Sequence, residues 1–126
     1  MPNSRKILIV DDDTELRTAL VEQLALHDEF EAVAVDSGTK GVAEAKAGQI
    51  DLVITDWNMP EMNGIDFVRN LRSTPHGKSV PVLMVTTNAA NADVAEALKA
   101  GVNNYVVKPF TADTLKEKIN AVASHA

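Results

Sequence analysis

Six polar residues follow short apolar segments of the sequence, and their side chains suit metal binding and phosphoryl transfer. They are Asp11, Asp12 and Asp13 after the first apolar segment, Asp56 after the third, Thr86 after the fourth and Lys108 after the fifth. If these segments are parallel strands of a doubly wound sheet, their carboxyl ends meet at one crevice. Any one of these residues could merely begin a loop or cap a helix, but together they predict a single polar site.

The acidic residues Asp11, Asp12 and Asp56 would place three carboxylates in that crevice. Like charges a few ångströms apart raise each other's pKa or require a positive partner. Lys108 supplies one positive charge. A divalent cation would supply the rest, and all-oxygen ligands with few side chains favour Mg²⁺, which keeps several of its waters. Asp13 is predicted to cap the following helix, because three successive side chains cannot all point into the crevice.

A phosphoryl group is a ligand that meets the needs of such a site. Its transfer spreads negative charge over oxygen atoms that a metal, a lysine and a hydroxyl group can stabilise. An aspartate can also act as the nucleophile and form an acyl phosphate. Asp56 is the candidate nucleophile because it stands alone after the central strand, whereas the pair Asp11 and Asp12 is better suited to hold metal.

Five apolar segments alternate with five helical patterns, which predicts an α/β fold in one domain over residues 1–126. The predicted strands are residues 7–10, 52–54, 82–85 and 105–107, with a weaker edge strand at 30–35. The first four are continuously apolar, as in parallel strands covered on both faces. The core-facing helical positions are Leu16, Leu20 and Leu24; Val42 and Ala45; Ile65, Val68 and Leu71; Val94, Ala97 and Leu98; and Leu115, Ile119 and Val122. The predicted helix caps are Asp13, Asn91 and Thr111. Right-handed crossovers then place helices on both faces of a parallel sheet.

The composition of the chain excludes several classes of site and partner. The chain has 126 residues, no cysteine and a formal net charge of −6. The absence of cysteine excludes disulfides and thiolate metal sites. The negative charge argues against direct binding to nucleic acid, whose phosphates would be repelled. No apolar run approaches the length of a signal peptide core or a membrane span, which predicts a cytoplasmic protein with no membrane insertion.

Four stretches of the sequence resemble the receiver domains of two-component response regulators, in particular the CheY-like chemotaxis regulators. They are ILIVDD at 7–12, DWNMP at 56–60 with Gly64, VLMVT at 82–86 and YVVKPF at 105–110. The ordered set of acid pair, aspartate, threonine and Lys-Pro is specific to that family, whereas any single piece would be weak. The resemblance implies a flavodoxin-like (βα)5 three-layer sandwich with strand order 2-1-3-4-5.

The resemblance also implies how the site would bind metal and phosphate. Asp56 would accept a phosphoryl group from a phosphohistidine on a sensor histidine kinase. The side chains of Asp12 and Asp56 and the backbone carbonyl of Asn58 would bind Mg²⁺, with Asp11 assisting through water. Lys108 would contact a phosphoryl oxygen. The protein would catalyse only its own phosphorylation and dephosphorylation, and in that sense it is not predicted to be an enzyme.

The same resemblance implies that phosphorylation changes one surface of the protein. Thr86 would move its hydroxyl onto the phosphoryl group, and Tyr105 would turn inward behind it. The face made by the fourth helix, fifth strand and fifth helix would then change and bind a downstream protein effector, such as the flagellar motor switch.

Three alternatives stay open at this point. Residues 14–49 look more like receivers joined to DNA-binding domains, so the chain could be the receiver fragment of a larger transcriptional regulator. A Mg²⁺-dependent phosphohydrolase with an aspartyl nucleophile is disfavoured, because Asn58 stands where that chemistry needs a second aspartate as acid–base. A binding module that is not phosphorylated would have lost the acid pair, the acceptor or the lysine, and none is missing.

Overall fold

The computed structural model describes residues 5–27, 30–47, 50–56, 64–86, 91–107 and 111–123, with the backbone alone described at 76, 86, 91–94, 112 and 123. The strands are β1 (Arg5–Val10), β2 (Phe30–Val35), β3 (Leu52–Asp56), β4 (Val82–Thr86) and β5 (Asn104–Val107). The helices are α1 (Thr14–Ala25), α2 (Gly38–Ala47), α3 (Gly64–Arg72), α4 (Asn91–Ala100) and α5 (Ala112–Ala123), and a short 3₁₀ helix spans His76–Lys78. Strands and helices alternate strictly, as predicted.

The five strands form one parallel sheet in the order β2-β1-β3-β4-β5. The predicted flavodoxin-like order is therefore confirmed. The central strands β1 and β3 carry continuous runs of branched apolar residues because helices cover both of their faces. The edge strand β2 has a mixed burial pattern, as expected for a strand with one free edge.

Two apolar clusters flank the sheet, one on each face, which makes a three-layer sandwich. Successive residues of β1 alternate between them: Ile7 and Ile9 join the cluster with α1 and α5, and Leu8 and Val10 join the cluster with α3. All four are fully buried. Because the period of a strand is two, this alternation fixes the register of the central strand against a one-residue slip.

In the described part of the chain, side chains cap the starts of α1, α2 and α5. Asp13 accepts hydrogen bonds from the backbone N–H groups of Glu15 and Leu16, so its predicted role as a cap is confirmed. The Thr111 hydroxyl likewise accepts from the N–H of the third residue of α5, at 3.1 Å. Asn91 is the first residue of α4 and its side chain lies outside the described residues, so its role as a cap stays a prediction. The cap of α2 at Ser37, which accepts from the Lys40 N–H at 3.2 Å, was not predicted.

One predicted core position is wrong. Leu98 on α4 is 51% exposed, whereas its neighbour Ala97 is buried. Consecutive helical residues point about 100° apart, so the buried face of α4 that includes Ala97 leaves Leu98 turned toward solvent. None of the helices in the described part of the chain has the length and apolarity that crossing a bilayer requires.

Candidate functional site

The sheet register places the predicted acidic residues side by side. In the parallel pairing of β1 with β3, Val10 lies opposite Thr55. The residues that follow, Asp11 and Asp56, therefore lie at the same edge of the sheet, at the ends of neighbouring strands. Asp56 in turn lies opposite Val85 of β4. The acidic residues come from the two central strands, whose buried runs leave little freedom to shift.

The three carboxylates converge at this edge. One carboxylate oxygen from each of Asp11, Asp12 and Asp56 lies within 4.8 Å of those of the other two. Asp11 is only 1% exposed, Asp56 is half-buried and Asp12 is exposed. The cluster therefore has a buried floor and an open side, so solvent and a small anion have access to it.

The turn after β1 holds Asp11 in place from three sides. Its backbone N–H donates to the Val35 carbonyl at 3.2 Å. Its Oδ1 accepts from the Asp13 N–H at 2.9 Å, and its own carbonyl accepts from Arg17 Nη1 at 2.8 Å. Arg17 was not singled out in the sequence, although its position in the first turn of α1 lets a long side chain reach back toward the strand end.

The chemistry of these donors fits a hard divalent cation. Two unit charges 4.8 Å apart repel by about 1 kcal/mol in a water-like medium and by about 3.5 kcal/mol at an effective dielectric of 20. Three carboxylates at this spacing would share a 2+ ion, and the open side leaves room for the waters that Mg²⁺ retains. The oxygen-only donor set is that of Mg²⁺ rather than of a transition metal that prefers nitrogen or sulfur.

The other predicted site residues are described only in part. Thr86 ends β4 opposite Val107, so its backbone lies at the same edge of the sheet as Asp56. The side chain of Thr86, the whole of Asn58 and the whole of Lys108 lie outside the described residues. The structure thus brings Asp11, Asp12 and Asp56 together, and the roles assigned to Asn58, Thr86 and Lys108 stay predictions.

A family model described as the response regulator receiver domain matches residues 7–120 of the chain. The match runs from β1 into α5 and includes every strand end at the acidic edge.

The chain belongs to the response regulator receiver family.

Known members of the family resemble this receiver closely. It is 46% identical over 120 residues to chemotaxis protein CheY-3 of Vibrio cholerae, which covers 93% of this chain and 90% of that protein. Its fold matches the crystal structure of CheY4 from Vibrio cholerae with a TM-score of 0.91 at 31% identity, over 94% of this chain and 98% of that one. It also matches the receiver domain of the sensor histidine kinase PA1611 from Pseudomonas aeruginosa, with a TM-score of 0.87 at 26% identity over 96% and 98% of the two chains. That structure is described as having a magnesium ion coordinated in the active site cleft.

Tyr105, the predicted switch residue, lies on β5 at the side of the receiver that α4 and α5 flank. It is half-buried, and the Lys118 ammonium of α5 lies 5.8 Å from the centre of its ring. Both residues line a shallow groove of about 510 Å³ along β5 and α5. Val107, at the end of the same strand, is 39% exposed. This face therefore combines an aromatic ring, a positive charge and exposed apolar surface.

Proposed function

We propose that this receiver accepts a phosphoryl group on Asp56 in a Mg²⁺-dependent reaction and relays the change to a partner protein. The observation that carries the proposal is the convergence of the Asp11, Asp12 and Asp56 carboxylates within 4.8 Å at the carboxyl edge of the sheet. Such a cluster is electrostatically unfavourable when empty, and a divalent cation would lower the repulsion and offer positive charge to an incoming phosphoryl group.

The metal would be held by the three carboxylates, with the Asn58 carbonyl as a further ligand by resemblance to the family. When bound, Mg²⁺ supplies positive charge that stabilises the negative charge on the transferring phosphoryl oxygens. Asp11 is buried and held by the turn, so its carboxylate would be a fixed oxygen donor for the ion. Asp12 is exposed and would complete the site from the solvent side.

The transfer itself is a displacement at phosphorus by Asp56. One carboxylate oxygen of Asp56 forms the new O–P bond while the P–N bond of the phosphohistidine breaks. The leaving imidazole keeps the electron pair of the broken bond and takes a proton from solvent. Lys108 would neutralise a phosphoryl oxygen, as the resemblance implies. The half-buried position of Asp56 leaves its side chain accessible to a donor on a second protein.

A path from Asp56 to the partner-binding face follows the strand pairing. Asp56 pairs with Val85, and the next residue, Thr86, pairs with Val107 on β5. Movement of the Thr86 hydroxyl toward a phosphoryl group on Asp56 would leave space behind it for the Tyr105 ring. The groove that Tyr105 and Lys118 line would then change shape. A local change of charge is in this way converted into a change of surface.

A sensor histidine kinase is the proposed donor, and the α4–β5–α5 face is the proposed site for a downstream protein. The similarity to chemotaxis regulators supports a flagellar motor component as that protein. The receiver is proposed to act on no substrate other than its own Asp56, because Asn58 offers no general acid–base for turnover. The net charge of −6 speaks against DNA as a direct target.

Labelling of the purified protein with radioactive acetyl phosphate tests the proposal. We expect an acid-stable, hydroxylamine-sensitive adduct in the presence of Mg²⁺, and none in EDTA. Asp56→Asn should not be labelled, whereas Asp51→Asn, at an acid just before β3, should be labelled like the wild type. An adduct that forms without divalent metal, or that persists in Asp56→Asn, contradicts the proposed function.

A further inference from the structure

Arg17 binds the acid-bearing turn from the first turn of α1. Its Nη1 donates to the Asp11 carbonyl at 2.8 Å, and its Nη2 donates to the Thr14 hydroxyl at 3.4 Å. The side chain is half-buried, and its own backbone N–H donates to the Asp13 carbonyl at 2.9 Å. The guanidinium therefore spans from the helix back to the end of β1.

The carbonyl that Arg17 binds belongs to the peptide bond between Asp11 and Asp12. Because a peptide group is planar, fixing this carbonyl fixes the plane from which Asp12 leaves the turn. Asp11 is already held by its N–H and by its Oδ1. Asp12 is exposed, so its placement depends on the orientation of the preceding peptide rather than on packing around its own side chain.

We infer that Arg17 is a positioning residue for the metal site: its bond to the Asp11 carbonyl sets the peptide that aims Asp12 at the cation. This inference rests on the proposed function. Outer partners that orient metal ligands typically change metal affinity by about 10- to 100-fold when they are removed. The positive charge of Arg17 acts in the opposite direction, since it repels a cation. The two effects therefore predict opposite changes in affinity when Arg17 is truncated.

Titration of Mg²⁺ into the metal-free protein by calorimetry distinguishes the two effects. The fluorescence of Trp57, the only tryptophan and the residue after Asp56, gives an independent signal. We expect Arg17→Ala to raise the Kd for Mg²⁺ by about 10-fold. Arg17→Lys keeps the charge and one donor, and it should recover about half of that loss on a logarithmic scale.

The matched control is Lys40→Met, which removes a positive charge near the same turn without touching the Asp11 carbonyl. Lys40 pairs with Asp36 at 2.9 Å. The pKa of Asp36 is lowered chiefly by that contact with Lys40 and to a smaller extent by the charge of Arg17, so both cations act on the same region. We expect the Kd of Lys40→Met to stay within about 2-fold of the wild type, as for an exposed pair.

Unchanged or tighter Mg²⁺ binding by Arg17→Ala would overturn the inference, and so would an equal loss in Lys40→Met. If Arg17→Ala unfolds, Arg17→Lys alone decides, because a Kd equal to that of the wild type would show that the paired contacts of the guanidinium with the Asp11 carbonyl and the Thr14 hydroxyl are not needed. A wild-type protein that binds no Mg²⁺ at all would instead refute the proposed function.

Discussion

Replacing Asp56 by Asn removes one charge from the acidic cluster while keeping the size of the side chain. The Asp56 carboxylate lies within 4.8 Å of both Asp11 and Asp12. At that distance each repulsion amounts to about 1 kcal/mol in a water-like medium and about 3.5 kcal/mol at an effective dielectric of 20. Asp12 is exposed, so the lower value applies to it, whereas the buried Asp11 lies nearer the higher one. Because the cluster relaxes, we expect metal-free Asp56→Asn to be more stable than the wild type by about 1 to 3 kcal/mol.

Mg²⁺ should reduce or reverse that difference. A ligand that binds only the folded state stabilises it by about 2.7 kcal/mol at a concentration of 100 times its Kd. The wild type would receive this gain in full, and the variant would receive less because an amide is a weaker ligand than a carboxylate. The gain in stability and the loss of metal response should thus appear in the same variant.

Urea denaturation followed by far-UV circular dichroism, in EDTA and again with Mg²⁺, measures both effects. Glu117→Gln, at an exposed acid on α5, controls for the loss of one negative charge and should change the free energy of unfolding by less than about 0.5 kcal/mol. If Asp56→Asn in EDTA were no more stable than the wild type, the cluster would store no repulsion. The electrostatic reasoning for a metal site would then be refuted.

Three further predictions concern the rest of the fold. Gly77→Ala should lower the free energy of unfolding by about 3 kcal/mol or more in urea denaturation. The reason is that an added Cβ would lie 1.8 Å from the Leu71 carbonyl oxygen. A loss below about 1 kcal/mol would contradict this prediction. Arg72→Met should lower the free energy of unfolding by about 3 kcal/mol in the same assay. The Arg72 guanidinium donates to three backbone carbonyls and one side-chain amide oxygen, and the variant loses these bonds. A near-neutral change would show that water replaces them. The contact with Lys40 lowers the pKa of Asp36, so this pair stabilises the fold above the ordinary Asp pKa of 3.8, and the contribution is lost as the pH falls through the lowered value. Lys40→Met should bring the pKa of the Asp36 carboxyl back toward 3.8 in an NMR titration, and an unchanged pKa would refute the pairing.

The strands and the acidic edge could be predicted because burial on both faces leaves a plain signal. The middle residues of a strand that helices cover on both sides, as in β1 or β3, are mostly apolar, so a carboxylate at the carboxyl end of such a strand stands out in the sequence. Asp11 and Asp56 are such residues. Their proximity followed from parallel pairing alone, before any contact was known.

Contacts between side chains and distant backbone carbonyls could not be predicted in this way. Arg72 ends α3, and its guanidinium donates to the carbonyls of Gly77, Val80 and Gly101 and to the amide oxygen of Asn103. Every residue type offers a carbonyl, so the acceptors leave no pattern in the sequence. The contact of Arg17 could not be predicted for the same reason, because its acceptor in the acidic turn is the backbone carbonyl of Asp11 and not the carboxylate.

The two ends of the sheet are held in contrasting ways, and the contrast explains where a switch can act. At the amino end, the Arg72 guanidinium connects the end of α3 to the segments that lead into β4 and β5. Gly101 has a φ of 112°, and a Cβ at this position would collide with the Arg72 side chain. At the carboxyl end, three carboxylates repel one another across strands whose apolar residues are fully buried. Strain placed at this edge cannot be relieved by moving β1 or β3, because their packing is the core of both layers. If Asp56 accepts a phosphoryl group as proposed, the change of charge would therefore be expected to act beyond the strand ends, while β1 and β3 stay fixed.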